Sequence, residues 1–165
     1  MSIILSRVDD RVIHGQTMTR WTKYRPTQGI LVVGDDIAND ELRRRVLKAA
    51  AGGLGLGIYT AEQAKDSIPK GMSSKKKFFL ISDSPQTFAK LVEMGVDFGE
   101  ELNIGPMNTR EGATVLGRTV AIDKNDYDAL EYMDKHGIKI YFQLLPDDDK
   151  KSWKTMKAKY DSLNK

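Results

Sequence analysis

Short apolar runs of strand length alternate with amphipathic helical patterns along almost the whole chain. Seven runs have the length and composition of buried strands: residues 3–5, 29–33, 56–59, 78–82, 102–104, 119–122 and 138–144. Six helical patterns accompany them: residues 16–24, 39–51, 60–67, 84–94, 123–136 and 147–163. Such alternation implies βαβ crossovers. It predicts a three-layer α/β fold, with helices on both faces of a mostly parallel sheet of about seven strands.

Local signals define where several of these helices begin and how they pack. Thr60 with Gln63 three residues later predicts a capping box, and Asp123 is expected to cap a later helix. The stretch 69–74 begins with proline and is expected to form a loop. The 39–51 helix is expected to pack through one apolar face, formed by Leu42, Val46, Leu47 and Ala50.

The length of 165 residues favours one domain, 1–165, with a single sizeable core, and no internal repeat or boundary divides it. Because cysteine is absent, disulfides, thiolate zinc sites and cysteine nucleophiles are excluded. The first apolar run is too short for a signal peptide, and no run approaches the ~18 residues that cross a bilayer. A cytoplasmic protein is therefore expected.

The formal net charge of +3 and the sequence pI of about 9.0 describe a mildly basic chain. Its basic clusters, 43–45 and 75–77, are interpreted as solvated faces, with a docking surface for an acidic protein partner as the alternative. A nucleic-acid-binding protein is not expected, since no basic strand carries interleaved aromatic residues.

The candidate site lies where the first apolar run becomes charged and then gives way to a helical pattern. Asp9, Asp10 and Arg11 precede His14, and Gly15 begins the helical pattern. A strand end followed by a helix N-terminus is the usual ligand position in an open α/β sheet, and the helix N-terminus favours an anion. Neutral imidazole is a nucleophile whose tautomer a carboxylate can fix. The loop therefore suggests transfer of a phosphoryl group to His14, with charge stabilisation by Arg11.

Other candidate sites are weaker. His136 lies at an expected helix C-terminus, where a cation is favoured by the helix dipole, and is interpreted as structural. The glycines in 52–57 do not fit a dinucleotide fingerprint, and no P-loop is present. Asp35 and Asp36, with the 9–10 pair, could suggest a magnesium site or a receiver domain, but no aspartate follows the third strand. These two aspartates are expected to line the rim of the His14 loop or to form a turn.

The chain resembles a known family in the segment that contains His14. Residues 7–16, Arg-Val-Asp-Asp-Arg-Val-Ile-His-Gly-Gln, closely resemble the R-[IV]-D-[DE]-R-[LIV]-I-H-G-Q signature of IIB subunits of the phosphoenolpyruvate-dependent sugar phosphotransferase system, mannose–fructose–sorbose family. Looser similarity continues through 31–36, 95–96 and 103–107. Val12 replaces a leucine, and Pro106 stands where glycine or asparagine is common.

The resemblance implies a phosphocarrier. His14 would accept phosphate at Nδ1 from a phosphohistidine of a IIA subunit, leaving Nε2 for a polar neighbour or solvent. It would then pass the phosphoryl group to the 6-hydroxyl of a sugar held by the IIC and IID membrane subunits. Arg11 matches the arginine that neutralises phosphate, and Asp10 matches the carboxylate that orders the loop. Gln16 and the Gly15 N–H are further candidates for phosphate contacts.

The resemblance also implies a cytoplasmic protein that associates peripherally with the membrane permease complex, and it implies neither cofactor nor metal. The main alternative is a non-enzymatic phosphate- or nucleotide-binding module of similar fold. The sugar is left open among mannose, fructose, sorbose, N-acetylgalactosamine and others, and so is assembly into a homo-oligomer.

Overall fold

The computed structural model describes residues 2–165, apart from the side chain of Gln16. The strands of this part of the chain are β1 (Ile3–Val8), β2 (Gly29–Val33), β3 (Gly55–Tyr59), β4 (Phe78–Ser82), β5 (Glu101–Ile104), β6 (Thr114–Val115), β7 (Ala121–Ile122), β8 (Lys139–Phe142) and β9 (Lys151–Ser152). Its helices are α1 (Gly15–Tyr24), α2 (Asp35–Ala38), α3 (Glu41–Ala51), α4 (Ala61–Ser73), α5 (Pro85–Glu93), α6 (Lys124–Lys135) and α7 (Trp153–Leu163).

Seven strands form one sheet in the order β3-β2-β4-β1-β5-β8-β9. Every neighbouring pair is parallel except β8 and β9. The predicted α/β class and the mostly parallel seven-stranded sheet are therefore confirmed.

Two corrections concern which segments build that sheet. The apolar run 119–122 was expected as one of its strands, but its β7 pairs antiparallel with β6 in a separate two-stranded sheet. The seventh strand of the large sheet is instead β9, which lies inside the predicted 147–163 helix. An apolar run specifies burial but not its pairing partner, and two-residue strands give too little periodicity to be recognised.

Helices cover both faces of the sheet. On one face, α1, α2 and α3 pack over strand residues such as Leu5, Ile30 and Ile81. On the other face, α4 to α7 pack over residues such as Val8, Leu80 and Ile104. The core is thus divided by the sheet into two layers, as βαβ crossovers require.

Two helix boundaries differ from the prediction. Helix α4 continues through Pro69 to Ser73, so the expected loop 69–74 is wrong. Burial of Ile68 and Gly71 compensates for the lost hydrogen bond, and Gly71 packs so closely that a Cβ there would lie 2.9 Å from Leu31. Helix α7 begins at Trp153 rather than at residue 147, because Ser152 supplies its cap by accepting from the Thr155 N–H.

The predicted packing face of α3 is only partly correct. Leu47 is buried, but Leu42 and Val46 are 72% and 58% exposed, and Ala50 is exposed as well. Leu47 and Ala51 lie four residues apart and form the buried stripe, which leaves Leu42 and Val46 on the solvent side. Asp40 caps this helix, and the predicted caps at Thr60 and Asp123 are both present as complete capping boxes.

Candidate functional site

The sheet topology places the His14 loop at the point where the chain changes direction across the sheet. Strand β1 lies between β4 and β5. The chain leaves β1 through α1 on one face and leaves β4 through α5 on the other. A crevice outside the carboxyl ends of such strands is the general ligand position in open α/β sheets. His14 lies at this edge as the N-cap residue of α1, and its side chain makes no capping bond.

Backbone hydrogen bonds tie the loop to both neighbouring strands. The Asp9 N–H donates to the Ser82 carbonyl at the end of β4 (2.9 Å), and the Asp10 N–H donates to the Pro106 carbonyl beyond β5 (3.0 Å). Val12 is fully buried with φ of 64°, a left-handed conformation that is costly for a β-branched residue. Strain of this kind concentrates at functional sites, where the surrounding structure imposes it.

The carboxylate of Asp9 lies next to Nε2 of the His14 ring. Asp9 is 2% exposed; its Oδ1 accepts from the Arg11 N–H (3.0 Å), and its Oδ2 lies 3.5 Å from Nε2 of His14. On its other side, Nη2 of Arg7 lies 3.6 Å from the same Oδ2. Burial raises the pKa of Asp9, and the positive charge of Arg7 opposes that rise.

The His14 ring lies beside this carboxylate. Its side chain is 27% exposed, yet Nε2 itself is buried, lies 3.5 Å from Asp9 Oδ2 and makes no hydrogen bond within the described part of the chain. A carboxylate beside Nε2 favours the neutral tautomer that carries its proton on Nε2 and its lone pair on Nδ1. In that tautomer, Nδ1 is the ring nitrogen with a free lone pair.

Asp9 is the carboxylate beside His14, and it was not among the site residues predicted from the sequence, which assigned the ordering of the loop to Asp10. Successive residues leave a strand on opposite faces. Arg7 and Asp9 continue the β1 face that packs on α1, whereas Asp10 lies on the face of α5 and α6, in a cavity of about 400 Å³. Asp10 Oδ2 accepts there from the Asn108 N–H (2.6 Å). The period-two pattern of β1 predicts opposite faces for the two side chains, but it does not predict which face carries His14.

The remaining loop candidates are neighbours of His14 in the chain. Arg11 is exposed three residues before it. Gly15 is exposed, has φ of 29° and is the first residue of α1, where backbone N–H groups have no partner within the helix. Gln16 belongs to α1, but its side chain lies outside the described part of the chain.

Asp35 and Asp36 follow β2, which β4 separates from β1. Asp35 Oδ1 accepts from the Ala61 N–H (2.9 Å), and its Oδ2 lies 3.4 Å from Nζ of Lys90. These contacts join α2 to α4 and α5. The two residues begin a four-residue helix rather than the expected simple turn.

The contacts of Asp35 predict a pH effect on stability. Chiefly because it accepts the Ala61 N–H, its pKa is lowered. It therefore contributes stability above the ordinary carboxyl pKa, and this stability is lost as pH falls through its lowered value. For Asp35→Asn, we expect a shallower loss of unfolding free energy with acid, measured by urea titration from pH 6 down. An unchanged slope would contradict this role.

His136 occupies the C-cap of α6, with Nδ1 2.7 Å from the Tyr132 carbonyl oxygen. Its local contact agrees with the structural interpretation. No helix in the described part of the chain is long and apolar enough to span a bilayer.

Comparisons with known proteins identify the class. Residues 3–165 match the family model described as "PTS system sorbose subfamily IIB component". The chain belongs to this family, whose members are IIB components of a sugar phosphotransferase system.

Individual relatives agree with this assignment. The chain is 34% identical over 151 residues to the N-acetylgalactosamine-specific phosphotransferase enzyme IIB component 1 of Escherichia coli K12, covering 90% of this chain and 94% of that protein. It superposes on the crystal structure of the IIB domain of the Klebsiella pneumoniae sorbose permease with a TM-score of 0.88 and 32% identity, covering 96% and 98%. It is also 32% identical to the mannose-specific EIIAB component of E. coli K12, covering 98% of this chain and 50% of that protein.

Proposed function

We propose that His14 accepts a phosphoryl group from a phosphohistidine of a IIA partner and transfers it to a sugar during uptake through IIC and IID membrane subunits. The observation that carries this proposal is the orientation of His14 at the carboxyl end of β1. Nε2 is buried 3.5 Å from Oδ2 of Asp9, while the ring remains 27% exposed. The name of the mannose-specific EIIAB relative, which joins A and B components in one chain, supports the choice of donor.

In the first step, the Nδ1 lone pair of His14 attacks the phosphorus on the donor. A new N–P bond forms, and the donor's N–P bond breaks with its electron pair returning to the donor imidazole. The His14 ring, phosphorylated at Nδ1 and protonated at Nε2, then carries positive charge. The Asp9 carboxylate stabilises that charge at Nε2.

In the second step, a sugar hydroxyl oxygen attacks the phosphorus. The N–P bond on His14 breaks, its electron pair returns to Nδ1, and the hydroxyl proton leaves to water. The protein contributes little covalent chemistry to phosphoryl transfer. It accelerates the reaction mainly by positioning the reacting groups and by stabilising charge. In this proposal the chain works in the cytoplasm, at the membrane permease complex.

The other loop residues have supporting roles in this proposal. The guanidinium of Arg11 neutralises the phosphoryl oxygens, and the N–H groups of Gly15 and Gln16 offer donors at the start of α1. Asp10 orders the loop by holding Asn108. Asp35 and Asp36 lie at the outer rim of the same sheet edge.

The test is intact-protein mass spectrometry after incubation with phosphoenolpyruvate, the general phosphotransferase proteins and a cognate IIA subunit. We expect one acid-labile phosphoryl group on the wild-type chain and on His136→Gln, and none on His14→Gln. No added mass, with IIA demonstrably phosphorylated, would overturn the proposal in favour of a phosphate- or nucleotide-binding module.

The same His14→Gln variant is expected to fold normally. The ring is partly exposed, and His14 makes no side-chain cap for α1. The midpoint of thermal unfolding, followed by circular dichroism, should stay close to that of the wild type. A collapsed spectrum would identify His14 as a structural residue.

A further inference from the structure

The mechanism above leaves one buried cation without a role. Arg7, on β1, is 1% exposed. Its guanidinium donates to Oδ1 of Asn103, to the Gln143 carbonyl (3.2 Å) and to the Leu144 carbonyl (3.1 Å). These partners lie on β5 and just beyond β8, so Arg7 spans the sheet toward β8 beneath the His14 loop.

An uncharged side chain could fill the space that Arg7 occupies. Burying a guanidinium carries a large desolvation cost, and an apolar side chain of similar volume often stabilises a fold as well. Among the described residues, the carboxylate that pairs with Arg7 is that of Asp9, 3.6 Å away, and the same oxygen lies 3.5 Å from Nε2 of His14. Arg7, Asp9 and His14 thus form a continuous line from the core to the reactive ring.

We propose that Arg7 is a positioning residue of the phosphotransfer site, which acts through Asp9 to hold a carboxylate at Nε2 of His14 and so commits Nδ1 to the phosphoryl group. This inference rests on the function proposed above. Its physical basis is that burial favours the neutral form of Asp9, whose proton would remove the acceptor from Nε2. A fixed positive charge beside Asp9 opposes that protonation.

Among the groups close to Asp9, Arg7 is the main charge that opposes protonation of the carboxylate. The Arg11 backbone N–H and His14 also favour the ionised carboxylate, whereas Asp10 disfavours it. Beyond Arg7, burial raises the pKa of the Tyr141 hydroxyl, and the positive charges of Arg25 and Arg7 oppose that rise. Burial lowers the pKa of Arg7, yet the guanidinium of arginine remains charged in proteins.

Gly105 gives a second, independent indication that this position of Arg7 is specified. A Cβ added to Gly105 would overlap the Arg7 guanidinium and approach the Val8 carbonyl oxygen to 2.9 Å. A residue without a side chain is therefore required for the guanidinium to reach the Leu144 carbonyl. Gly105→Ala consequently displaces Arg7 while it preserves every charge.

The test measures the His14 ring by ¹⁵N NMR in the His136→Gln background, where His14 is the only histidine. In the parent chain we expect the Nε2–H tautomer and phosphorylation at Nδ1. In Arg7→Met and Gly105→Ala, we expect a mixture of tautomers and a rate of phosphorylation by IIA that is about 10- to 100-fold lower, the usual cost of a lost supporting contact. Arg7→Lys, which keeps the charge, should restore most of the Nε2–H tautomer.

Arg25→Met is the matched control. Arg25 lies over the ring of Trp21 at 6.0 Å, as Arg7 does at 5.2 Å, but donates to the Ile4 carbonyl and has no contact with Asp9. The Arg25→Met variant should leave the His14 tautomer unchanged. If Arg7→Met fails to fold, Gly105→Ala decides the question.

A parent-like tautomer in either folded variant would overturn the role of Arg7. Tautomer measurements need no phosphodonor, so they test this role even if His14 is never phosphorylated. Failure of the parent chain to accept phosphate would instead overturn the proposed function.

Discussion

Arg11→Ala is expected to slow phosphoryl transfer to His14 by roughly 100-fold, about the loss seen when one charge partner of a transition state is removed. Arg11 lies in the loop three residues before His14, and its exposed side chain contributes little to the core. Its backbone N–H is bound to Asp9, which holds the start of the loop and is unaffected by the substitution. The defect should therefore appear in rate and not in stability.

The measurement is a single-turnover transfer from phosphorylated IIA, with the phosphoprotein quantified by mass spectrometry. Arg20→Ala is a suitable control, because Arg20 is a nearby exposed arginine on α1 that pairs with Asp147 at 2.5 Å. We expect that variant to transfer at nearly the parent rate. Equal transfer rates for Arg11→Ala and the parent chain would contradict the proposed role of Arg11 in binding the phosphoryl group.

Trp21→Ala is expected to reduce the free energy of unfolding by about 3–5 kcal/mol, the usual cost of truncating a buried aromatic residue. Trp21 is 1% exposed on α1, and its indole N–H donates to the Leu144 carbonyl at 2.9 Å. The ring also packs against the Arg7 guanidinium. The substitution would thus open a cavity and weaken the packing of α1 against the segment that follows β8.

Urea unfolding monitored by far-UV circular dichroism measures this loss. Trp21→Phe should cost less, about 1–2 kcal/mol, because most of the packing remains while the hydrogen bond to Leu144 is lost. Tyr24→Ala is the control on the same helix, since Tyr24 is 59% exposed, and should change stability by about 0.5 kcal/mol or less. A loss for Trp21→Ala as small as that for Tyr24→Ala would contradict this packing role.

Local sequence was sufficient for the α/β class and for most of the elements. Capping signals at Thr60 and Asp123 and the apolar run 78–82 are properties of neighbouring residues, and all three reappear in the structure. The His14 loop could be singled out for the same reason. Its charged residues lie between a strand and a helix start, and that order alone places them at the carboxyl edge of a parallel sheet.

Local patterns were misleading where a segment depends on distant partners. Pro69 remains helical because α4 gains burial against β1 and β2, and Leu42 is exposed because α3 rests on Leu47 and Ala51. Strand β9 exists only as the antiparallel neighbour of β8. In each case the deciding energy comes from a contact far away in the sequence.

The sequence by itself determined that this chain forms a parallel α/β sheet and carries a histidine loop at the end of its first strand. Only the tertiary structure decided which aspartate meets that histidine. Asp9 and Asp10 directly follow β1 and lie on opposite faces of the sheet, and the packing of α1 on one of those faces brings His14 to Asp9 and leaves Asp10 to Asn108. The buried position of Arg7 beside Asp9 was likewise set by β5 and by the segment just beyond β8, because the Asn103 amide oxygen and two backbone carbonyls, 96 to 137 residues away in the chain, accept hydrogen bonds from its guanidinium.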